Sequence, residues 1–328
     1  AGYIPTSNRS AAKESIGLKN NLYEMVPLFR SLIYSEYIHG VVCDVKRPDI
    51  FKAVSYQLVR SSNVAFLHLS HVHATDGLSD LYVNMYYNID HCGVVYFDFS
   101  GNDIKEEIIK LNFENAPETF DQKERNRAKS FFDIFRKYKS EVIYFSFNEC
   151  GFEKRHLNAL FSAMNSYKSL SKLKYLHISG SQLIDESREL LKNYFDVYQT
   201  LVSLDIGNMP DDAKDIEKVI EMIHHQPLEC LYLYNDQITD KCFAALKNLI
   251  DDVPSLSVLD VSGTGLTSDH VARIVEAMSS RQNYRMLTIK ASRLGIYGVG
   301  TATIVRGFLN GQLDQWETIY LDSNNMRT

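Results

Sequence analysis

An apolar signature that returns about every 28 residues constrains this chain more than any other feature. Leu228-Glu-Cys-Leu231-Tyr-Leu233-Tyr-Asn-Asp236-Gln-Ile238 aligns without a gap on Leu256-Ser-Val-Leu259-Asp-Val261-Ser-Gly-Thr264-Gly-Leu266. The register recurs at Val94…Phe97…Phe99…Asn102…Ile104, at Val142…Phe145…Phe147…Cys150…Phe152 and at Leu173…Leu176…Ile178…Ser181…Leu183. It returns at Leu201…Leu204…Ile206, at Tyr284…Leu287…Ile289…Leu294 and at Trp316…Ile319…Leu321…Asn324…Met326. Weaker copies read Val64…Leu67…Leu69 and Gly40…Cys43…Val45…Ile50. Marked by their second apolar letter, the copies fall at 43, 67, 97, 145, 176, 204, 231, 259, 287 and 319. Between 176 and 287 the steps are 28, 27, 28 and 28, a constancy that chance does not produce.

The stretches between copies explain the period. After Leu266 comes Thr267-Ser268-Asp269, a capping hydroxyl followed by an early acid, which predicts a helix start. Val271, Ile274, Val275 and Met278 then recur at helical intervals on one face. Phe243, Leu246, Leu249 and Ile250 do the same one repeat earlier, and Ile304, Val305, Phe308 and Leu309 one repeat later. Each unit reads as a short strand, a turn and a helix, and none can bury its apolar side alone. Stacking gives one continuous core, so the expected fold is an α/β solenoid, a horseshoe with parallel strands on the concave side and helices on the convex side.

Departures from the period mark the organisation. Residues 1–39 read as an N-terminal linker and capping helix, with Leu22, Met25, Val26, Phe29 and Ile33 on one helical face, and residues 40–328 as about ten repeats. The step from 97 to 145 is 48 residues and points to an insertion at 113–140, which contains Phe113 to Phe120 and the charged run Lys123 to Lys129. Two readings of it stand: a longer solvated helix with a loop, or a loop that contacts a partner.

By the alternation of a strand, the third, fifth and seventh letters of each copy project onto the concave face. The third row reads Val42, Phe66, Tyr96, Tyr144, Tyr175, Ser203, Cys230, Val258, Met286, Thr318. The fifth reads Asp44, His68, Asp98, Ser146, His177, Asp205, Tyr232, Asp260, Thr288, Tyr320 and holds no Lys or Arg. Contiguous rings beside unpaired acids add nothing to folding, whereas rings with a polar rim are the material of interface hot spots. Phe66, Tyr96, Asp98, Tyr144, Tyr175, His177, Asp205, Tyr232, Tyr234, Asp260 and Tyr320 are therefore the expected partner-binding residues. A cationic peptide or the basic face of a protein complements such a surface best.

The net charge of −6 argues against nucleic acid as the main ligand. Five scattered cysteines form no CxxC pair, which argues against a zinc ribbon or a disulfide framework. With no signal-like apolar start and no run of about 18 apolar residues, a cytoplasmic protein that does not insert into membranes is expected. Two constellations invite a chemical reading. Ser146, His177 and Asp205 share one row on adjacent strands, but a flat strand surface offers no converging oxyanion donors. His68, His71 and His73 form HxxHxH, with only His68 on the open face. Phosphate-loop, zinc-protease and nucleophile-elbow motifs are missing. The expectation is a binding protein without a cofactor or metal, not an enzyme.

The pattern resembles the leucine-rich-repeat family over nearly the whole chain, in its long-repeat, ribonuclease-inhibitor-like class. Divergent early repeats behind a leading helical segment are similar to the CARMIL-type regulators of actin capping. That resemblance implies an interaction scaffold within a larger cytoskeletal or signalling regulator. Ran-type GTPase activators share the scaffold and use charged residues at the strand-to-helix edge, where Arg47 and Arg293 lie. A pathogen effector that borrows the scaffold is a further alternative.

Overall fold

The computed structural model describes residues 39–42, 62–210, 213–280, 286–296, 298–310 and 315–324. The expected capping helix and the residues Cys43, Asp44, Arg47 and Met326 lie outside them. Ten strands form one parallel sheet in chain order. They are β1 Gly40–Val42, β2 Phe66–His68, β3 Tyr96–Asp98, β4 Tyr144–Ser146 and β5 Tyr175–His177. Then follow β6 Ser203–Asp205, β7 Cys230–Tyr232, β8 Val258–Asp260, β9 Leu287–Lys290 and β10 Trp316–Tyr320. Between them run α1 Leu78–Tyr87, α2 Lys105–Ile109, α3 Gln122–Arg127, α4 Lys154–Ser166 and α5 Asp185–Val197. The later helices are α6 Ala213–Met222, α7 Asp240–Asp252, α8 Ser268–Ser279 and α9 Gly298–Asn310.

From β2 to β9 the inward marker of each strand is buried. Leu67, Phe97, Phe145, Leu176, Leu204, Leu231, Leu259 and Ile289 are at most 1% exposed and share one core with the apolar faces of the helices. Helices about 10 Å across cannot stack at the ~4.8 Å spacing of strands, so the sheet curves with its uncovered face inside. Thr267 caps α8, its hydroxyl accepting from the His270 amide at 3.3 Å, as the capping signal predicts. The last helix departs from expectation: Ile304 and Phe308 are buried, but Val305 and Leu309 are 48% and 64% exposed, with no further described helix beside them.

Strand pairing corrects the register at both ends. Leu259 pairs with Ile289, not Leu287, and Ile289 with Ile319. The two readings differ by two residues, which keeps every side chain on the same face, so alternation could not separate them. The third apolar letter of that repeat is Ala291, buried but too small to stand out. Thr288 and Lys290 therefore take the third and fifth rows in place of Met286 and Thr288. Likewise Val41, not Cys43, pairs with Leu67, which puts Gly40 and Val42 in those rows.

A second periodicity confirms the corrected register at β9. Four residues after each inward marker the chain turns through positive φ: His71, Gly101, Glu149, Gly180, Asn208, Asn235, Gly263, Arg293 and Ser323, at 54° to 72°. This left-handed residue sends each strand into its turn. Just beyond it, Asn102 and Asn324 satisfy the turn: the Asn102 amide donates to the carbonyls of Leu69 and Phe99 at 2.7 and 2.8 Å, and its Oδ1 accepts from the Ala74 amide at 3.0 Å.

The stretch between β3 and β4 is not a long solvated helix. It holds the short helices α2 and α3 and a 3₁₀ helix, Phe131–Arg136, with Phe120, Phe131, Phe132, Ile134 and Phe135 at most 2% exposed. Arg125 ties its loop by donating to the carbonyls of Phe113 and Pro117 at 2.8 and 2.9 Å. Glu124, 1% exposed, accepts from the Tyr82 hydroxyl of α1 at 2.6 Å and pairs with Arg136 at 2.8 Å and Lys137 at 3.0 Å.

Candidate interaction surface

The third row carries a ridge of touching rings. Phe66 and Tyr96 lie 4.4 Å apart between centroids, Tyr96 and Tyr144 are stacked at 5.1 Å and 16°, and Tyr144 and Tyr175 are tilted at 5.8 Å. Beyond Tyr175 the row drops to Ser203, Cys230, Val258, Thr288 and Thr318, so the ridge covers β2 to β5 only. Phe66 is 42% exposed and the three tyrosines are half-buried against one another. Phe66 spreads over Gly40, where an added Cβ would sit 2.9 Å from the Phe66 Cβ.

The fifth row is a chain of hydrogen bonds, and its acids are not the unpaired charges that the sequence suggested. Asp98 Oδ2 meets His68 Nδ1 at 2.8 Å, and its Oδ1 accepts from the Ser100 hydroxyl and amide at 2.6 and 3.0 Å. Burial opposes the Asp98 charge, yet these donors hold its carboxyl below the usual carboxylate value. His177 contacts the Tyr144 hydroxyl through Nδ1 at 3.2 Å and Ser203 Oγ through Nε2 at 3.0 Å. Its ring also meets Tyr232 edge-on at 6.2 Å, over the intervening Asp205. Asp205 accepts from Asn148 Nδ2 at 2.7 Å and the Gly207 amide at 3.1 Å. Burial pushes Asp205 up to about 6 and draws His177 down to about 4, so both resist charging.

At the far end Lys290 stands in the fifth row, where the sequence pointed to no cation. Its Nζ lies 3.6 Å from Asp260 Oδ2 and 5.6 and 5.9 Å from the ring centroids of Tyr232 and Tyr320. Tyr234, one row along, covers Gly207 so closely that a Cβ there would sit 2.6 Å from its ring. The expected site residues thus form two groups, an aromatic ridge on β2 to β5 and a mixed acid–tyrosine patch on β6 to β10. His177 ties Tyr144 of the ridge to Ser203 of β6, and Asp98 ties β3 to His68 of β2. Sequence reading missed Lys290, hidden by the two-residue slip, and Asn148, which has no apolar or acidic signature.

Neither tempting chemical constellation assembles as the sequence grouped it. Ser146 Oγ bonds Ser100 Oγ at 2.6 Å rather than His177. A different trio does have relay connectivity: Ser70 Oγ lies 2.7 Å from His68 Nε2, and His68 Nδ1 lies 2.8 Å from Asp98. The amides flanking Ser70, those of Leu69 and His71, already donate to Asp98 O and Ser100 O at 2.8 and 2.7 Å. They cannot serve an oxyanion, so the trio works as a structural hydrogen-bond chain. His71 and His73 lie in the turn at φ 54° and 58°, and no group of three metal-capable side chains converges among the described residues.

A strand, a left-handed turn and a helix, stacked into one open parallel sheet, define an α/β solenoid. No family profile matches the chain, and no curated protein matches it. Among solved structures it is similar to the internalin inlF of Listeria monocytogenes, at 12% identity and TM-score 0.42 over 93% of this chain and 90% of that one. It is also similar to the leucine-rich repeat-containing protein LegL7 of Legionella pneumophila, at 14% identity and TM-score 0.43 over 90% and 87%. No helix among the described residues is long and apolar enough to cross a membrane.

Proposed function

We propose that the chain is a non-catalytic, cytoplasmic protein-interaction scaffold, part of a larger cytoskeletal or signalling regulator, and that it holds a protein partner on the inner face of the sheet. The observation that carries this reading is the ridge Phe66–Tyr96–Tyr144–Tyr175, four rings in contact on a face that no described helix covers. Such rings are rigid, bury large areas and order few torsions when a partner docks. A decisive comparison uses affinity capture with the parent, with Tyr96→Ala/Tyr144→Ala/Tyr175→Ala, and with the outer-helix control Lys192→Ala/Asp196→Ala. The ridge variant should lose the captured partner and the control should keep it. Each ring contact contributes about 0.5–1.5 kcal/mol, so the triple variant melts lower but stays folded, which circular dichroism checks. Retained capture by a folded ridge variant defeats the proposal.

One observation favours a second reading, a GTPase activator of the Ran type. Arg293 sits at the strand-to-helix edge in a left-handed conformation, φ 57°, with Nη2 donating to Asn235 Oδ1 at 3.0 Å. That reading requires Arg293→Ala to abolish GTP hydrolysis stimulated by the chain across a panel of small GTPases.

A further inference from the structure

The open face holds one feature that a passive interaction surface does not need. Among the described residues, Lys290 is the only Lys or Arg in the third, fifth and seventh rows. Its ammonium lies between two tyrosine rings, Tyr232 at 5.6 Å and Tyr320 at 5.9 Å, with the Asp260 carboxylate at 3.6 Å. These groups come from three other strands, β7, β8 and β10, and two rings with an acid are the chemistry that recognises a desolvated cation. Asp260 is fixed in place because its other oxygen accepts from the Ser262 amide at 3.0 Å. Lys290 itself is not locked: its side chain is 38% exposed on a four-carbon stem, and the contacts that hold it are of the weak, solvent-screened kind.

We infer that Tyr232, Asp260 and Tyr320 form a seat for an arginine or lysine side chain of a polypeptide partner, and that Lys290 is an internal occupant which the partner displaces. This rests on the reading of the inner face as the binding surface and names the partner's chemistry there. The seat lies beside the low part of the third row, where Ser203, Cys230, Val258 and Thr288 take the place of the rings and an extended segment could continue from the ridge.

The test titrates an octapeptide of alternating glycine and arginine, with its citrulline counterpart, into the full chain while ring signals of Tyr232 and Tyr320 are followed by NMR. The arginine peptide should shift both signals and the citrulline peptide neither. Lys290→Met, which keeps the stem and removes the competitor, should tighten binding threefold or more. Asp260→Asn keeps the acceptor for Ser262 and should weaken it threefold or more. Unmoved ring signals, or a Lys290→Met variant that binds no better than the parent, overturn the seat. If the ridge variant loses its partner while Lys290→Met and Asp260→Asn change nothing, the seat fails and the ridge stands. If neither set of variants has an effect, the reading of the whole face fails.

Discussion

Two sets of single residues carry costs that the repeat does not require. Glu149 and Arg293 occupy the left-handed turn position at φ 59° and 57°, where five of the other seven described repeats place Gly or Asn. A side chain there stores roughly 1 kcal/mol or more, so Glu149→Gly, which retains the amide bond to Ser179 O, should raise the denaturant midpoint by about 0.5–1 kcal/mol of stability. A lowered midpoint would mean that Glu149 makes a compensating contact. The second set is His177 and Asp205, neighbours in the fifth row with opposed titration. His177, drawn from 6.5 to about 4, charges more readily in the unfolded chain, so its contribution is full above pH 6.5 and is lost as pH falls towards 4. Asp205, pushed from 3.8 to about 6, does the reverse: folding gains as pH falls from 6 towards 3.8. Each effect is on the order of 3 kcal/mol, and the two nearly cancel across one window. His177→Gln should therefore make the chain more stable at pH 4.5 relative to pH 7.5 than the parent is, and Asp205→Asn less so. Chemical denaturation at both pH values reads the difference, and equal shifts in both variants would refute the opposition.

At the scale of elements, the insertion is where local sequence says least. Phe113, Phe120 and Phe131 have no repeat register, so nothing in their spacing reveals that they close over a core, and the charged run beside them reads as solvated. Its anchor is long-range: Glu124 reaches Tyr82, forty-two residues earlier, as well as Arg136 and Lys137. Glu124→Gln removes a buried charge from two cations that retain some solvent, so a loss of about 2 kcal/mol is expected. Hydrogen exchange should quicken across 113–138 while the strands stay protected; uniform quickening would show that the insertion does not open by itself. Strands β2 to β8 were legible because one LxxLxL fixes their inward face and length. Register at β1 and β9 was not, because period two tolerates a slip of two and Arg293 is a poor marker of a left-handed turn. The same slip hid the Asp260–Lys290 contact, and the Asp98–His68 bond depends on lateral pairing that no single repeat displays. The rings of the ridge could be read as neighbours, but their mutual stacking could not.

For the molecule as a whole, stacking makes stability a chain of nearest-neighbour terms, so the repeats need not open together. The C-terminal end is where those terms thin out. Ile319 is 38% exposed although its eight pairing counterparts are at most 1%, and Val299, Val305 and Leu309 of α9 are 86%, 48% and 64% exposed. Among the described residues, amides of β10 and α9 therefore lack the second neighbour that amides of β4 to β8 have. They should exchange at least tenfold faster than the central strands, a difference of about 1.4 kcal/mol in opening free energy. Substitution gives an independent reading of the same gradient. Leu309→Glu changes a side chain that already faces solvent and should move stability by less than about 0.5 kcal/mol, whereas Ile304→Ala, on the buried side of the same helix, should cost about 2–4 kcal/mol. Site-resolved hydrogen exchange and denaturant melts of the two variants decide the matter. Uniform protection along the sheet, together with a large cost at Leu309, would show that the end repeat is covered in solution and that the solenoid opens as one unit.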